Sequence, residues 1–322
     1  MILLAIIWDY MSTYLVTGGA GFIGSHIVDC LVKRGEIVRV LDNFITGKIE
    51  NIKHNLDRIQ LINGSVEDLE TVRQAVCGVD YVLHQAAMAS VQQSVDDPLK
   101  CNETNVCGTL NVLTASKAAG VKRVVYASSS SVYGDAPGLP KSEDMPVRPL
   151  SPYALTKLTG EHYCQLFSKL YGLETVSLRY FNVFGPRQDP SSEYAAVIPK
   201  FLTLMSEGRS PVIYGDGLQT RDFIYVENVV QANLLACTQP NVAGEVLNVA
   251  CGESYSLLDL VVFLNKILSK SIKPMFEDER QGDIKHSQAN ISKAQRFLGF
   301  TPRVSFEEGL EKLVRWVSTQ SV

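Results

Sequence analysis

A glycine-rich turn near the start of the chain is the feature that most constrains its fold. Residues 17–24 read TGGAGFIG, follow a short apolar run and lead into an amphipathic run that stops at Gly35. The spacing of Gly18, Gly21 and Gly24 suits a tight turn whose backbone can approach a pyrophosphate at a helix N-terminus. Because such triplets also occur in purely structural turns, the position between a predicted strand and a predicted helix is what favours a dinucleotide site.

An acidic residue after the second predicted strand supports the same interpretation. The run at 36–41 ends at Asp42, about 20 residues after the turn, where a carboxylate can accept a hydrogen bond from a cofactor ribose hydroxyl. No arginine stands beside Asp42, and a carboxylate would repel a 2′-phosphate. The two features together favour NAD over NADP.

Composition argues against several other classes of protein. With 322 residues, 46% hydrophobic and 20% charged, the chain can bury a core in one large or two modest domains. A net charge of −4 gives no support to nucleic-acid binding. Seven cysteines without a C-x-x-C pair and five histidines without ligand spacing predict free thiols and no metal site. The apolar run at 1–10 is too short to span a bilayer and lacks signal-peptide features, so we expect a cytoplasmic protein with no membrane partner.

Short β-rich runs alternate with helical ones from residue 14 onward. This alternation predicts an α/β fold, a Rossmann-type doubly wound parallel sheet with helices on both faces. The expected strands are 14–17, 37–41, 59–63, 81–84, 123–127 and 175–180, and the expected helices are 22–34, 67–76, 99–119 and 152–171.

The pattern changes after residue 180, where proline and glycine become frequent and loops lengthen. The runs at 223–226 and 246–249, with a helix at 228–238 between them, predict a return to the sheet. The predicted domains are a cofactor-binding domain at 12–181 plus about 223–249, a smaller discontinuous α/β substrate domain at about 182–222 and 250–322, and an N-terminal extension at 1–11.

A serine-rich strand end and a tyrosine–lysine pair are the candidates for chemistry. The fifth predicted strand runs into four serines at 128–131, and Tyr153 and Lys157 follow on a helix, where positions i and i+4 share a face. A nearby ammonium would stabilise the phenolate and lower the pKa of Tyr153 towards neutrality, which would make it a usable base. A lone Y-x-x-x-K is more often an exposed pair, but downstream of a dinucleotide turn the catalytic interpretation is favoured.

Six segments together resemble the extended short-chain dehydrogenase/reductase family and, within it, the UDP-hexose 4-epimerases. In chain order they read TGGAGFIGS, DN, HQAA, YASSSSVYG, SPYALTK and RYFNVFGPRQDP. The resemblance covers about 12–317 and implies bound NAD, a nucleotide-sugar substrate and 4-epimerisation through a transient 4-keto sugar. It implies Ser129 as the catalytic serine, Tyr153 as the base and Lys157 as its partner.

The resemblance also implies a set of cofactor contacts. These fall on Gly18, Gly21, Phe22, Ile23, Gly24, Asp42, Asn43, Phe44, Thr46, Gly47, Ser65, Val66, Gln85, Ala86, Ala87, Met88, Asn105, Tyr153, Lys157 and Phe181. The family usually has an aspartate where Ser65 stands, reaching the adenine amino group. At this position the chain departs from the family pattern, and the contact is left to the backbone.

The implied substrate-binding set lies mostly in the second half of the chain. It comprises Ser90, Ser129, Ser130, Asn182, Ala196, Val197, Tyr214, Arg221, Arg280, Asp283 and Ser287. Arg221 and Arg280 would meet the diphosphate as charge-assisted donors, and Tyr214 would stack near uracil.

The serine run separates the chain from two other branches of the family. Sugar-nucleotide 4,6-dehydratases typically carry Thr-Asp-Glu where this chain has serines at 129–131. Decarboxylases that form UDP-xylose usually keep a glutamate at the position of Ser131. Epimerisation needs no acid–base pair beyond the Tyr153 system, so the serines are compatible with it.

Ser287 bears on the choice of sugar. It falls where the epimerases place a residue beside the sugar, and a small side chain there leaves room for a 2-acetamido group. With the segments RQDP and YAAVIPK, it resembles the UDP-N-acetylglucosamine 4-epimerase subgroup, and UDP-glucose is also an expected substrate. The segment ASSSSVYG fits UDP-glucuronate 4-epimerases equally well, so that activity is the alternative. A non-catalytic NAD-binding regulator is a remote one.

The predicted helices at 99–119 and 152–171 carry more apolar and small residues than one sheet face requires. In the resembled family these helices pair across a two-fold axis as a four-helix bundle. A homodimer is therefore expected, although an apolar stripe alone would equally fit a buried core.

Overall fold

The computed structural model describes residues 11–189, 197–279 and 285–320. Residues 1–10 of the predicted extension lie outside these ranges. So do the predicted substrate residues Ala196, Arg280 and Asp283.

A parallel sheet of seven strands forms the centre of the described chain. In chain order the strands are β1 (Thr13–Thr17), β2 (Ile37–Asp42), β3 (Ile59–Asn63), β4 (Tyr81–His84), β5 (Arg123–Ser129), β6 (Glu174–Tyr180), β7 (Asn182–Phe184), β8 (Val212–Tyr214), β9 (Thr220–Arg221), β10 (Phe223–Tyr225), β11 (Glu245–Val249), β12 (Tyr255–Ser256) and β13 (Met275–Glu277). The helices are α1 (Phe22–Lys33), α2 (Leu69–Val76), α3 (Val91–Asp96), α4 (Pro98–Asn102), α5 (Gly108–Ala118), α6 (Pro152–Tyr171), α7 (Val197–Ser206), α8 (Val226–Thr238), α9 (Leu257–Leu268), α10 (Ser292–Leu298) and α11 (Phe306–Gln320).

The sheet order is β11-β6-β5-β4-β1-β2-β3, and the strands pair in parallel. The predicted strands are confirmed as β1 to β6, and β11 joins the edge as expected. Because β2 lies on one side of β1 and β4 on the other, the chain reverses its direction across the sheet between β1 and β4. Ligands of such sheets bind in the crevice at this switch point, beyond the carboxyl ends of the strands.

Helices cover both faces of the sheet, as a buried parallel sheet requires. Ile27 on α1 and Leu234 on α8 belong to the apolar cluster on one face. Val72 on α2, Val112 on α5 and Phe167 on α6 belong to the cluster on the other. The predicted Rossmann-type α/β fold is confirmed.

The single helix predicted at 99–119 is wrong in detail. The structure has α4, a π-helical turn at Glu103–Cys107, and α5, preceded by the unpredicted helix α3. Ser90 and Asp97 accept hydrogen bonds from backbone N–H groups at the starts of α3 and α4. Pro98 lacks an N–H and occupies the first turn of α4, where none is needed. The π-helical turn carries Asn105, whose side chain is used in the site described below.

The run at 223–226 does not return to the central sheet as expected. It forms β10, which pairs with β7 in a separate two-stranded sheet. Phe223 and Tyr225 on β10 pack their rings against Phe184, and Phe223 also stacks on Phe306 at the start of α11. These rings belong to a third apolar cluster, which includes residues of α7, α9 and α11. The apolar run correctly predicts a strand, but the strand with which it pairs is the one that carries Phe184, whose ring packs against Phe306.

The seven cysteines are free thiols. Over the described ranges there is no group of three His, Cys, Asp or Glu side chains that could hold a metal ion. Nor does any helix in those ranges combine the length and apolarity needed to cross a membrane.

Candidate active site

The glycine-rich turn has a geometry that other residues could not adopt. Gly18 has φ +67°, and a Cβ there would lie 2.8 Å from the backbone nitrogen of Ala86. A Cβ on Gly24 would overlap the carbonyl oxygen of Gly18. Gly21 stands at the N-cap of α1, where no side chain from the described part of the chain provides a cap. The first-turn N–H groups of α1 therefore suit an anion such as a pyrophosphate.

Asp42 is held at the edge of this turn. Its Oδ2 accepts a hydrogen bond from the Ala20 N–H at 2.9 Å, and its Oδ1 accepts one from the Phe44 N–H at 2.8 Å. A Cβ on Gly47 would lie 2.6 Å from Oδ1, so the loop after β2 folds closely back onto the carboxylate. Each carboxylate oxygen has a second acceptor site, so Asp42 can still accept a ribose hydroxyl. Asp42 and its surroundings therefore fit the ribose of NAD.

His84, at the end of β4, is buried between two threonine hydroxyls. Nδ1 lies 2.7 Å from Thr17 Oγ1, and Nε2 lies 3.1 Å from Thr109 Oγ1. Thr109 donates its own proton to the Asn105 carbonyl at 2.6 Å, so Nε2 must donate to Thr109, and Nδ1 accepts from Thr17. Burial lowers the pKa of His84 to about 3, with a smaller contribution from Lys157. His84 is therefore a neutral connector of fixed tautomer.

The hydrogen bonds continue from Asn105 to the helix of the predicted base. Asn105 accepts from the Met88 N–H at 2.8 Å and donates to the hydroxyl of Thr156 at 3.0 Å. Thr156 in turn donates to the Tyr153 carbonyl at 2.8 Å. A continuous polar chain thus joins the end of β1, the loop after β4, the π-helical turn and α6. Thr156 was not among the predicted site residues, although it lies inside the SPYALTK segment.

The structure brings the three predicted catalytic residues together. Ser129 ends β5, and its Oγ accepts from the N–H of Ser131 at 3.2 Å and from its hydroxyl at 2.9 Å. This leaves the Ser129 proton free to be donated within the site, and the Ser129 hydroxyl lowers the pKa of Tyr153 against the larger effect of burial, which raises it. On α6, one turn after Tyr153, Lys157 donates to the Ala127 carbonyl at 2.8 Å. Lys157 is thereby anchored to the strand that carries Ser129.

Burial controls the ionisation of this trio. It lowers the pKa of Lys157 to about 8 and raises the pKa of Tyr153, with the Ser129 hydrogen bond opposing the second effect. The prediction that Lys157 lowers the Tyr153 pKa towards neutrality is wrong for this geometry. The ammonium lies over the tyrosine ring, 5.8 Å from its centroid, and its hydrogen bond goes to Ala127.

A buried ion pair that the sequence analysis missed supports the serine run. Arg179 on β6 binds Glu161 on α6 in a bidentate manner, with two N–O distances of 2.8 Å. Glu161 also accepts from the hydroxyl of Ser128, the residue before Ser129. The Arg179 guanidinium lies 4.7 Å from the centroid of the Tyr133 ring. The only sequence signal was the position of Glu161, four residues after Lys157 on a helix.

The other predicted cofactor residues are more widely spread. Phe22 and Ile23 lie in the first turn of α1, and Ala87 is half-buried in the loop after β4. The Gln85 amide is already bonded to Asn233 and Tyr180. Asn43 and Thr46 are exposed, whereas Val66 is buried. The Ser65 hydroxyl accepts a hydrogen bond from the Glu67 N–H. Phe181 packs in a separate apolar cluster with Val132, Tyr133, Ala250 and Ala289.

A cavity of about 300 Å³ lies beside the third apolar cluster. Four predicted substrate residues line it, namely Asn182, Val197, Tyr214 and Arg221. Lys200 and Gln219 also line it and were not among the predicted site residues, although Lys200 ends the YAAVIPK segment. Ser287 is close by, because its N–H donates to the carbonyl of Thr220, next to Arg221. Ser90, Ser129 and Ser130 are not part of the cavity wall: Ser90 caps α3, and Ser130 opens a 3-10 turn after β5.

Comparisons with known proteins agree with this fold. Residues 14–250 match the model of the NAD dependent epimerase/dehydratase family. A putative UDP-glucose 4-epimerase of Methanocaldococcus jannaschii is 39% identical over 309 residues, which are 95% of this chain and 99% of that protein.

Two solved structures are similar over nearly the whole chain. A UDP-N-acetylglucosamine 4-epimerase from Methanobrevibacter ruminantium M1, in complex with UDP-N-acetylmuramic acid, is 44% identical with a TM-score of 0.92, covering 96% of this chain and 99% of its own. A UDP-glucuronic acid 4-epimerase from Bacillus cereus, in complex with UDP-glucuronic acid and NAD, is 37% identical with a TM-score of 0.87, covering 96% and 99%. With the dinucleotide turn and the assembled serine, tyrosine and lysine, these matches show that the chain belongs to the NAD dependent epimerase/dehydratase family.

Proposed function

We propose that the protein interconverts the C4 epimers of UDP-N-acetylglucosamine and also accepts UDP-glucose. The coarser assignment, an NAD-dependent UDP-sugar 4-epimerase, rests on family membership and on relatives named for that activity. The observation that carries the proposal is the assembly of Ser129, Tyr153 and Lys157 at the carboxyl end of β5, on the same edge of the sheet as the predicted cofactor turn.

The chemistry follows from these side chains. NAD, when bound, supplies the hydride acceptor and later the hydride donor. Tyr153 removes the proton from the sugar O4, and Ser129 donates a hydrogen bond that orients this oxygen. Lys157 is anchored to the Ala127 carbonyl and holds its ammonium over the ring of Tyr153. Return of hydride to the opposite face of C4, with return of the proton from Tyr153 to O4, would complete a redox-neutral cycle.

The preference for an acetamido sugar is supported by Ser287. Its segment runs beside Thr220 and Arg221, and its side chain is small and only half-buried. Because a UDP-glucuronate 4-epimerase is also similar to this chain, that activity remains the alternative. Turnover on UDP-N-acetylglucosamine, UDP-glucose and UDP-glucuronate, compared directly, distinguishes the candidates.

A substitution tests the role of Ser287. The variant Ser287→Tyr is expected to lose turnover of the acetamido sugar and to keep turnover of UDP-glucose, because the larger side chain would occupy the space of the acetamido group. Ser292→Tyr, at an exposed serine at the start of α10, is the matched control. Retention of acetamido-sugar turnover by Ser287→Tyr would rule out this basis of selectivity.

The division into domains and the dimer are also proposals. The third apolar cluster, separate from the two that cover the sheet, supports a substrate domain built from segments after residue 180. Exposed apolar side chains on α4 and α6, among them Leu99, Leu155 and Leu170, support a homodimer through a four-helix bundle. The free cysteines, two of them exposed, support a reducing and therefore cytoplasmic location.

A non-catalytic regulator is the remaining candidate and is not favoured, because the catalytic trio is complete and assembled. Tight binding of NAD and UDP-sugar without any turnover would revive it.

A further inference from the structure

A buried carboxylate outside the catalytic trio connects distant segments of the chain. Asp222 directly follows Arg221 and is fully buried. Its Oδ1 accepts from the Cys251 N–H at 2.9 Å, and its Oδ2 accepts from the N–H groups of Gly252 and Ala289 at 3.0 and 3.1 Å. Its side chain therefore joins β9 to the turn after β11 and to the segment before α10.

The backbone of the same residue reaches a third place. The Asp222 carbonyl accepts hydrogen bonds from both the N–H and the side-chain amide of Asn182, each at 3.1 Å. Three of the proposed substrate residues lie at these contacts. Asn182 binds the Asp222 carbonyl, Arg221 directly precedes Asp222, and Ser287 is two residues before Ala289, whose N–H binds the Asp222 carboxylate. One buried residue is thus common to the segments that carry them.

The chemistry at this point requires a carboxylate. An ionised carboxylate offers only acceptors, whereas an amide would turn donors towards at least one of the three N–H groups. Over the described residues, no lysine, arginine or histidine forms an ion pair with Asp222. Burial raises the pKa of Asp222 to about 7, and the three N–H donors oppose this effect. A buried carboxylate without a cation is unfavourable, so its hydrogen bonds to the three segments are what offset its burial.

We propose that Asp222 is a positioning residue for the substrate: it fixes Arg221 and the Ser287 segment relative to each other, so that the diphosphate and the sugar are bound in one geometry. The inference rests on the proposed UDP-sugar substrate. It predicts that loss of the carboxylate weakens nucleotide binding more than it slows the chemical step.

The test is Asp222→Asn, which keeps the shape and removes the acceptor-only character. We expect KM for UDP-N-acetylglucosamine and the calorimetric Kd of UDP to rise by roughly tenfold or more, with kcat within about threefold and the NAD content unchanged. Asn228→Asp is the matched control, because Asn228 is also buried and binds the backbone of Arg303 and Val304, which are not among the proposed substrate residues. This control is expected to lower the unfolding temperature and to leave KM and the UDP Kd at wild-type values.

Two outcomes would overturn the inference: wild-type KM and UDP affinity in folded Asp222→Asn, or an equal rise in KM in Asn228→Asp. If Asp222→Asn does not fold, Asp222→Glu takes its place. The longer carboxylate must displace the bonded segments, so an unchanged KM in that variant would also overturn the inference. A wild-type protein that binds no UDP and turns over no UDP-sugar would instead contradict the proposed function itself.

Discussion

At the scale of single residues, the burial of Tyr153 opposes the ionisation that its proposed role as a base requires. Burial raises its pKa, yet the proposed reaction needs its phenolate. The Ser129 hydrogen bond works against the effect of burial, and the nearby Lys157 ammonium is held on the face of the ring. Burial of the site therefore disfavours the phenolate that the proposed reaction needs.

Removal of the Tyr153 hydroxyl tests its role as base. The variant Tyr153→Phe is expected to lose roughly 10²–10⁴-fold in kcat, because phenylalanine has no hydroxyl to take up the proton of the sugar O4. NAD content should be unchanged, and both can be measured on the same purified sample. Tyr163→Phe, on the same helix, is the control and should keep wild-type turnover. Near-wild-type kcat in Tyr153→Phe would contradict the mechanism.

The lowered pKa of Lys157 predicts how the free energy of unfolding depends on pH. Its pKa is about 8 in the folded protein against an ordinary value of 10.5, so above pH 8 the unfolded chain binds more protons than the folded one. Folding stability contributed by this group is therefore lost at low pH and rises between pH 8 and 10. Relative to Lys157→Met, the free energy of unfolding of the wild type should rise by about 2 kcal/mol over that interval.

The comparison with Lys157→Met is needed because buried tyrosines titrate in the same range. Both proteins share those tyrosines, so the difference between their urea unfolding curves at pH 8 and pH 10 isolates the lysine. A constant difference between the two pH values would show that Lys157 is not desolvated in the folded state.

At the scale of elements, the polar chain through His84 connects the cofactor turn to the catalytic helix. The variant His84→Phe keeps most of the ring volume but removes the acceptor of the Thr17 hydroxyl proton, whereas Thr109 keeps its hydrogen bond to the Asn105 carbonyl. We expect a loss of about 1–3 kcal/mol in the free energy of unfolding for the unpaired Thr17 hydroxyl. Because Thr17 leads into the glycine-rich turn, NAD retained after gel filtration should also fall.

A control variant at another buried threonine distinguishes a loss of stability from a loss of NAD binding. Thr175→Val on β6 removes a hydrogen bond to the Cys164 carbonyl, away from the residues of the glycine-rich turn. This control should destabilise the protein and keep its NAD. Equal loss of NAD in both variants would contradict a specific role of the His84 chain.

The elements also show why some features could be predicted and others could not. The strands β1 to β6, the turn before α1 and the pairing of Tyr153 with Lys157 follow from local spacing, which the sequence displays directly. The pairing of β10 with β7 depends on Phe306, which is more than eighty positions away along the chain. The π-helical turn at Asn105 depends on its contacts with Met88 and Thr156. Long-range contacts of this kind leave no mark in the local pattern.

At the scale of the whole molecule, the exposed apolar side chains of α4 and α6 need a partner if they are to be buried. Leu99 is 83% exposed, and Leu155 and Leu170 are also exposed. The seven-stranded sheet already has helices on both faces, so these side chains are not required by the core of one chain. A second copy that buries them would remove this apolar area from water, which favours association.

Charge placed on this surface tests the dimer. The double variant Leu99→Lys with Leu170→Lys is expected to sediment as a monomer at micromolar concentration. Dimerisation would bury two ammonium groups in each protomer, and the free-energy cost of removing them from water would exceed the stabilisation from the remaining apolar contacts. Val262→Lys on α9, where the valine is 66% exposed, is the control and should keep the oligomeric state of the wild type. A wild type that is monomeric at the same concentration, or a double variant that remains dimeric, would contradict the proposed bundle. Because the α6 helix carries both Tyr153 and part of this surface, a monomeric variant should also show lower turnover, with its NAD content as the measure of whether the cofactor site is intact.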